Sequence, residues 1–310
     1  MTRNFRDMLE SRWADGTLVC VGLDSTLDLI PEFAHRPTSS SVQKIAEFNR
    51  AIIEATHDLV CAYKLNLGPY IEHVDRGLAA LRDTVDDIYR IAPRVPVILD
   101  AKFSGDIPHT VAGYVALAFQ HLRMDAVTVI PYLGMGALQP FLDYREKGIF
   151  VICRSSHQGA DEFQDLDVHA TLDEAKILND AGSMCGMNAI SGFNTPLYNR
   201  VAFQVQNHWN ANGNCGLVVG ATRPYELRGV RAVVGHMPIL IPGIGEQGGD
   251  LKQAVLAGAD NAKKGMIINA SRSIIFASRG MDFADAARRA TLELRGLINQ
   301  HLDASVEVAQ

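Results

Sequence analysis

Eight short apolar runs punctuate the chain, at residues 18–23, 61–67, 95–99, 126–130, 149–153, 215–219, 238–241 and 266–268. Each is nearly continuous in apolar residues instead of alternating with polar ones, the pattern of parallel strands covered on both faces. Helical spacing fills the intervals. Val42, Ile45, Ala46, Phe48 and Ile52 recur on one face of 41–55, and Leu78, Leu81, Val85 and Ile88 do so in 77–91. Further helices are predicted over 108–122, 136–144, 224–234, 250–257 and 283–302, with Pro108 and Pro224 near helix starts, where a missing N–H costs little. A strand–helix unit repeated eight times predicts an α/β fold, a (β/α)8 barrel, with a doubly wound open sheet as the rival. The 310 residues fit one such barrel domain, 1–310.

The interval between the fifth and sixth runs is out of scale. Residues 198–208 read as the helix that this unit needs. The preceding 161–193, rich in Asp, Gly, Asn and Met, read as an insertion over the barrel mouth or at an interface, too small for its own core.

Lys and Arg total 29 against 35 Asp and Glu, a net charge of −6, which removes the usual attraction to nucleic acid or an anionic membrane surface. No apolar run approaches the roughly 20 residues that span a bilayer, and the N-terminal residues lack a secretory signal's apolar stretch. The five cysteines (Cys20, Cys61, Cys153, Cys185, Cys215) form no C-x-x-C pair, and four lie in apolar runs. They read as buried free thiols of a cytoplasmic protein.

In a barrel the chemistry sits at the C-terminal ends of the strands. The first run ends in Gly22-Leu23-Asp24, the second carries Lys64 and Asn66, and the third ends in Asp100-Ala101-Lys102, followed by Asp106. Alone, each charge reads as part of a structural ion-pair network. Asp100 and Lys102 stand two apart on one strand and face the same side, which favours a functional pair. Opposite charges within about 4–6 Å hold one another ionised, so a lysine between two aspartates suits proton donation to a developing carbanion. The seventh run ends in Gly243-Ile244-Gly245-Glu246-Gln247-Gly248-Gly249, a turn of accessible backbone N–H groups, and the eighth ends in Asn269-Ala270-Ser271-Arg272. Loops after strands seven and eight commonly bind phosphate, and a guanidinium suits it. His109 and His157 read as loop histidines. Ser155 and Ser156 lack a nucleophile-elbow context and suit a substrate hydrogen bond. No paired-histidine metal motif occurs, so no metal site is expected.

The order Asp100-Ala101-Lys102, then Asp106-Ile107-Pro108-His109-Thr110, resembles the D-x-K-x-x-D-I-x-x-T signature of the orotidine 5′-phosphate decarboxylases. Val21-Gly22-Leu23-Asp24, the Lys64 strand, the stretch from Gly216 to Thr222, the glycine turn and Asn269-Ala270-Ser271-Arg272 are similar to the longer bacterial branch of that family, in order from about residue 18 to 277. The resemblance implies decarboxylation of orotidine 5′-phosphate to UMP without cofactor or metal. It implies that Asp24 and Lys64 bind ribose hydroxyls, that Asp100 holds Lys102 and faces the departing carboxylate, and that Lys102 protonates C6. It further implies that Ser156 bonds the pyrimidine edge and that Gln247 and Arg272 hold the phosphate. Asn66 joins the expected substrate-binding set. Asp106, Ile107 and Thr110 would complete the neighbour's site in a homodimer. Two alternatives stand beside this reading: a metal-dependent sugar-phosphate synthase or decarboxylase of the same superfamily, and a non-catalytic nucleotide-phosphate sensor.

Two departures from the family pattern bear on the site. One extra residue separates Lys102 from Asp106, for which Gly105 offers a place to bulge. After the fourth run, Ile130 and Met135 stand where the family carries polar groups.

Overall fold

The computed structural model describes residues 3–180, 186–188, 192–245 and 248–307. All eight apolar runs become strands of one closed, all-parallel barrel. In chain order these are β1 (Val19–Gly22), β2 (Ala62–Asn66), β3 (Val97–Phe103), β4 (Ala126–Val129), β5 (Gly148–Arg154), β9 (Cys215–Val219), β10 (Ile239–Pro242) and β11 (Met266–Ala270). Pairing of β1 with β11 closes the ring, which excludes the open sheet. The strand interiors are buried because helices cover their outer faces, which is why the sequence shows runs and not alternation.

The helices follow the sequence periodicity closely, for example Ser41–Thr56 and Pro224–Val234. The stretch expected as one helix over 108–122 runs as Pro108–Val115 and then widens into a π-helical segment, Ala116–His121. The helix Phe5–Ala14 lies in a segment whose charges hid its apolar stripe. Phe5, Leu9 and Trp13, four residues apart, are all buried. Phe5 meets Phe150 edge to face at 5.5 Å, and Trp13 Nε1 donates to the Met266 carbonyl at 2.9 Å. This helix therefore plugs the barrel at the N-terminal ends of its strands. Gly148 makes room for it, since a Cβ there would fall 2.5 Å from the Phe5 ring.

Between β5 and β9 lies a second, antiparallel sheet in the order β6 (Asp167–Ala170), β8 (Gly192–Pro196), β7 (Gly186–Asn188). Two ion pairs tie this segment to the barrel. Buried Arg154 at the end of β5 meets Asp165 at 2.7 Å, and Arg200 of the helix Leu197–Gln204 meets buried Glu174 at 2.6 Å. Cys20, Cys61, Cys153 and Cys215 are buried free thiols, whereas Cys185 lies outside the described residues.

Phe5→Ala is expected to cost about 3–5 kcal/mol by emptying the plug. Urea denaturation with an unchanged m-value checks this.

Candidate active site

At the C-terminal ends of the strands a cavity of about 490 Å³ opens. Asp24, Lys64, Asn66, Asp100, Lys102, Ser156 and Arg272 all stand on its wall. Asp106, Ile107 and Thr110 do not line it. Asp106 and Ile107 are exposed on the loop beyond β3, and Thr110 lies in the first turn of Pro108–Val115. Gln247 lies outside the described residues.

The charged residues form a chain. Lys64 Nζ sits 3.2 Å from Asp24 Oδ1 and 3.3 Å from Asp100 Oδ2, and Lys102 Nζ sits 2.5 Å from Asp100 Oδ1. Acid and base thus alternate as Asp24, Lys64, Asp100, Lys102. The two lysines differ in environment. Lys64 is 3% exposed, whereas the Lys102 side chain is 52% exposed and opens on the cavity. The deeply buried ammonium is therefore Lys64, the brace, and not the lysine expected to donate the proton. Burial alone lowers the Lys64 pKa, but Asp24 and Asp100 outweigh it and leave the group raised and charged. Desolvation likewise raises Asp100, yet Lys64, Lys102 and Thr128 together hold it down at about 2.

Thr128 is a site residue the sequence did not disclose, because it stands inside an apolar run. Its Oγ1 donates to Asp100 Oδ1 at 3.0 Å and accepts the N–H groups of Ala101 at 3.1 Å and Lys102 at 2.9 Å. Those contacts locate the bulge. The β3–β4 register jumps from Leu99↔Val127 to Phe103↔Val129, and Lys102 takes φ 50°. The irregularity thus falls at Asp100–Lys102, ahead of the extra residue that precedes Asp106, because the Thr128 hydroxyl captures two successive N–H groups. A left-handed non-glycine residue costs on the order of 1–3 kcal/mol, and the surrounding hydrogen bonds hold it.

Across the cavity, Gly243 (φ 102°), Gly245 (φ 90°) and Gly248 (φ 75°) make the turn that only glycine adopts freely. Gly243 and Ile244 line the cavity together with Ser271, Arg272 and Ser273. Asn66 also faces it, with its side-chain oxygen accepting the Gly68 N–H.

The wall after β5 is reinforced by a residue from the 161–193 segment. Gln164 Oε1 accepts the Ser155 N–H at 2.8 Å, and its Nε2 donates to Ser155 Oγ at 3.0 Å. Ser155 Oγ also meets His157 Nδ1 at 2.9 Å. Gln164, Ser155 and His157 all line the cavity, so His157 is more than a loop residue. Nothing in the sequence singles out Gln164 itself, although its segment is expected over the barrel mouth or at an interface.

A closed (β/α)8 barrel with an acid–base chain and a glycine turn at its strand ends is the build of a barrel enzyme. Residues 17–289 match the model of the orotidine 5′-phosphate decarboxylase / HUMPS family, and the chain belongs to that family. A relative from Cellvibrio japonicus named orotidine 5′-phosphate decarboxylase is 40% identical, covering 96% of this chain and 98% of its own length. Among solved structures, the OMP decarboxylase of Leishmania donovani superposes with a TM-score of 0.75 at 32% identity, covering 96% of this chain and 98% of that one. The UMP synthase of the same organism gives a TM-score of 0.78 at 34% identity over 97% of this chain, which spans 57% of that longer protein.

Two outcomes are expected. The depressed Asp100 pKa contributes stability that is fully present above about pH 4 and lost as the pH falls towards 2. Asp100→Asn should remove that acid-limb dependence, about 2 kcal/mol between pH 5 and pH 2, in pH-resolved denaturation. Gln164→Ala frees the Ser155 loop and should raise KM several-fold with a smaller change in kcat, read by steady-state kinetics on orotidine 5′-phosphate.

Proposed function

We propose that this chain is a carboxy-lyase that converts orotidine 5′-phosphate to UMP. The observation that carries the reading is the Asp24–Lys64–Asp100–Lys102 chain with its last ammonium opening on the cavity. The name and near-complete coverage of the relative in Cellvibrio japonicus support the substrate.

In the proposed step the bond between C6 and the carboxylate carbon breaks, CO2 leaves and the electron pair remains on C6. Lys102 Nζ gives C6 a proton, and solvent restores the lysine. The carbanion has poor resonance support, so fixed charge must lower the barrier. Lys102 supplies positive charge where negative charge develops, and Asp100 fixes its direction. Lys64 neutralises Asp24 and Asp100 from below and offers its remaining N–H to the sugar. Asp24 and Asn66 face ribose hydroxyls, and Ser156 faces the pyrimidine edge. Arg272, with the glycine turn and Gln247, holds the phosphate, whose binding energy is spent on orientation at the ring.

Asp106, Ile107 and Thr110 are proposed to serve a second copy of the chain. Exposed apolar side chains support a homodimer: Ile71 and Val74 after β2, Ile107 after β3, and Tyr132, Leu133 and Met135 after β4. These loops follow neighbouring strands and form one side of the rim. The whole chain 1–310 acts as one catalytic unit with 161–193 inserted in it, and the four buried free thiols suit a cytoplasmic setting.

Lys102→Ala should lower kcat by at least about 10²–10⁴-fold while the far-ultraviolet circular dichroism and UMP binding persist. Loss of the orotate absorbance band on incubation with orotidine 5′-phosphate reads the turnover. Near-wild-type turnover in that variant would remove Lys102 as the proton donor.

A further inference from the structure

The excess length of β3 is concentrated at one point. Its pairing with β4 runs to Leu99↔Val127 and resumes at Phe103↔Val129, so Asp100, Ala101 and Lys102 together stand opposite Thr128. On its other flank β3 keeps register with β2 as far as Asp100, which pairs with Asn66. The excess therefore falls on the two partners of the outermost ion pair and the residue between them. Beyond it the backbone bonding resumes, with the Ile130 N–H donating to the Phe103 carbonyl at 2.9 Å.

A hydroxyl has one proton to give and two lone pairs to offer. Thr128 uses all three: it donates to Asp100 Oδ1 and accepts from the Ala101 and Lys102 N–H groups. It lines the cavity, yet its filled hydroxyl has no bond left for a ligand. Its side chain is buried and β-branched, so χ1 is stiff and the oxygen keeps one direction. Lys102 has the opposite character. An ammonium on a flexible four-carbon stem, with its side chain half exposed, is not oriented by packing. Its direction comes from the left-handed backbone at φ 50° and from the contact with Asp100 Oδ1 at 2.5 Å. One hydroxyl holds both, because it bonds the Lys102 N–H and the Asp100 carboxylate at once.

We propose that Thr128 is a positioning residue for the reaction: its hydroxyl sets the direction of the Lys102 ammonium, and through it the support that C6 receives in the transition state. Thr128 bonds no reacting atom, so it governs kcat and leaves ground-state binding of the nucleotide unchanged. The proposal rests on the reading of Lys102 as the proton donor. Valine at this position matches threonine in shape and removes all three bonds together. It leaves two N–H groups without their acceptor and the left-handed Lys102 without its compensation.

Thr128→Val, Thr128→Ala and Thr128→Ser are compared with wild type by steady-state kinetics on orotidine 5′-phosphate, calorimetric titration with UMP and thermal unfolding. Rates are taken well below each melting temperature. Thr128→Val should lower kcat by about 10²-fold, the scale of a catalytic group misplaced by a remote change, with UMP affinity near that of wild type. Thr128→Ser keeps the hydroxyl and should restore most of the rate. Where Thr128→Val does not unfold cooperatively, Thr128→Ala takes its place with the same expectation. A wild-type kcat in the variant without the hydroxyl overturns the proposal. So does a parallel loss of UMP affinity, which would report a collapsed pocket, or a kcat in Thr128→Ser as low as in Thr128→Val. Loss of cooperative unfolding in both Thr128→Val and Thr128→Ala makes Thr128 a residue of the fold and also overturns it. Each of these results leaves the assignment of Lys102 standing, whereas near-wild-type turnover in Lys102→Ala removes that assignment and this proposal with it.

Discussion

The arrangement of the strand ends depends on one buried ammonium. Lys64 lies among apolar barrel residues, where an unpaired charge costs several kcal/mol, and it is tolerated because Asp24 and Asp100 flank it at 3.2 and 3.3 Å. The dependence is mutual. Two carboxylates sharing one pocket oppose each other's ionisation, and the lysine between them lets both stay charged. That in turn gives Lys102, the exposed member, an anionic partner whose own position is fixed from beneath. Removing any inner member leaves an uncompensated buried charge, a loss on the order of 3–5 kcal/mol, so the chain behaves as a unit.

The backbone is shaped to serve the same chain. A regular β3 would point Asp100 and Lys102 into the barrel at uniform spacing. The bulge instead gathers the Ala101 and Lys102 N–H groups onto Thr128 and turns Lys102 into a left-handed conformation, so that its ammonium reaches back to Asp100. The strain is compensated locally by the Thr128 bonds, and it lies where the proposed chemistry does. On the far wall, Gln164 performs the matching task for the loop carrying Ser155 and Ser156, and the pair of buried Arg154 with half-buried Asp165 anchors its segment.

The barrel was legible because burial on both strand faces writes itself as unbroken apolar runs, and because helix faces repeat at their own period. The same logic hid the helix Phe5–Ala14, whose three buried anchors stand among charges on a short stretch. Asp24, Lys64, Asp100 and Lys102 were legible as polar residues ending apolar runs. Thr128 was not, because a threonine inside a strand reads as a β-former until its hydroxyl partners are known. Nor was Gln164, since contacts from a long insertion depend on tertiary placement and not on spacing. The difference in burial between Lys64 and Lys102 likewise needed three dimensions, because it follows from depth along the barrel axis.

A crystal structure with UMP bound would test the account most directly, through the distance between Lys102 Nζ and C6 of the pyrimidine. The account predicts about 3–3.5 Å, with the ring seated against Ser156 and the phosphate on Arg272. A nucleotide bound with C6 turned away from Lys102, or seated outside the cavity of the acid–base chain, would contradict it.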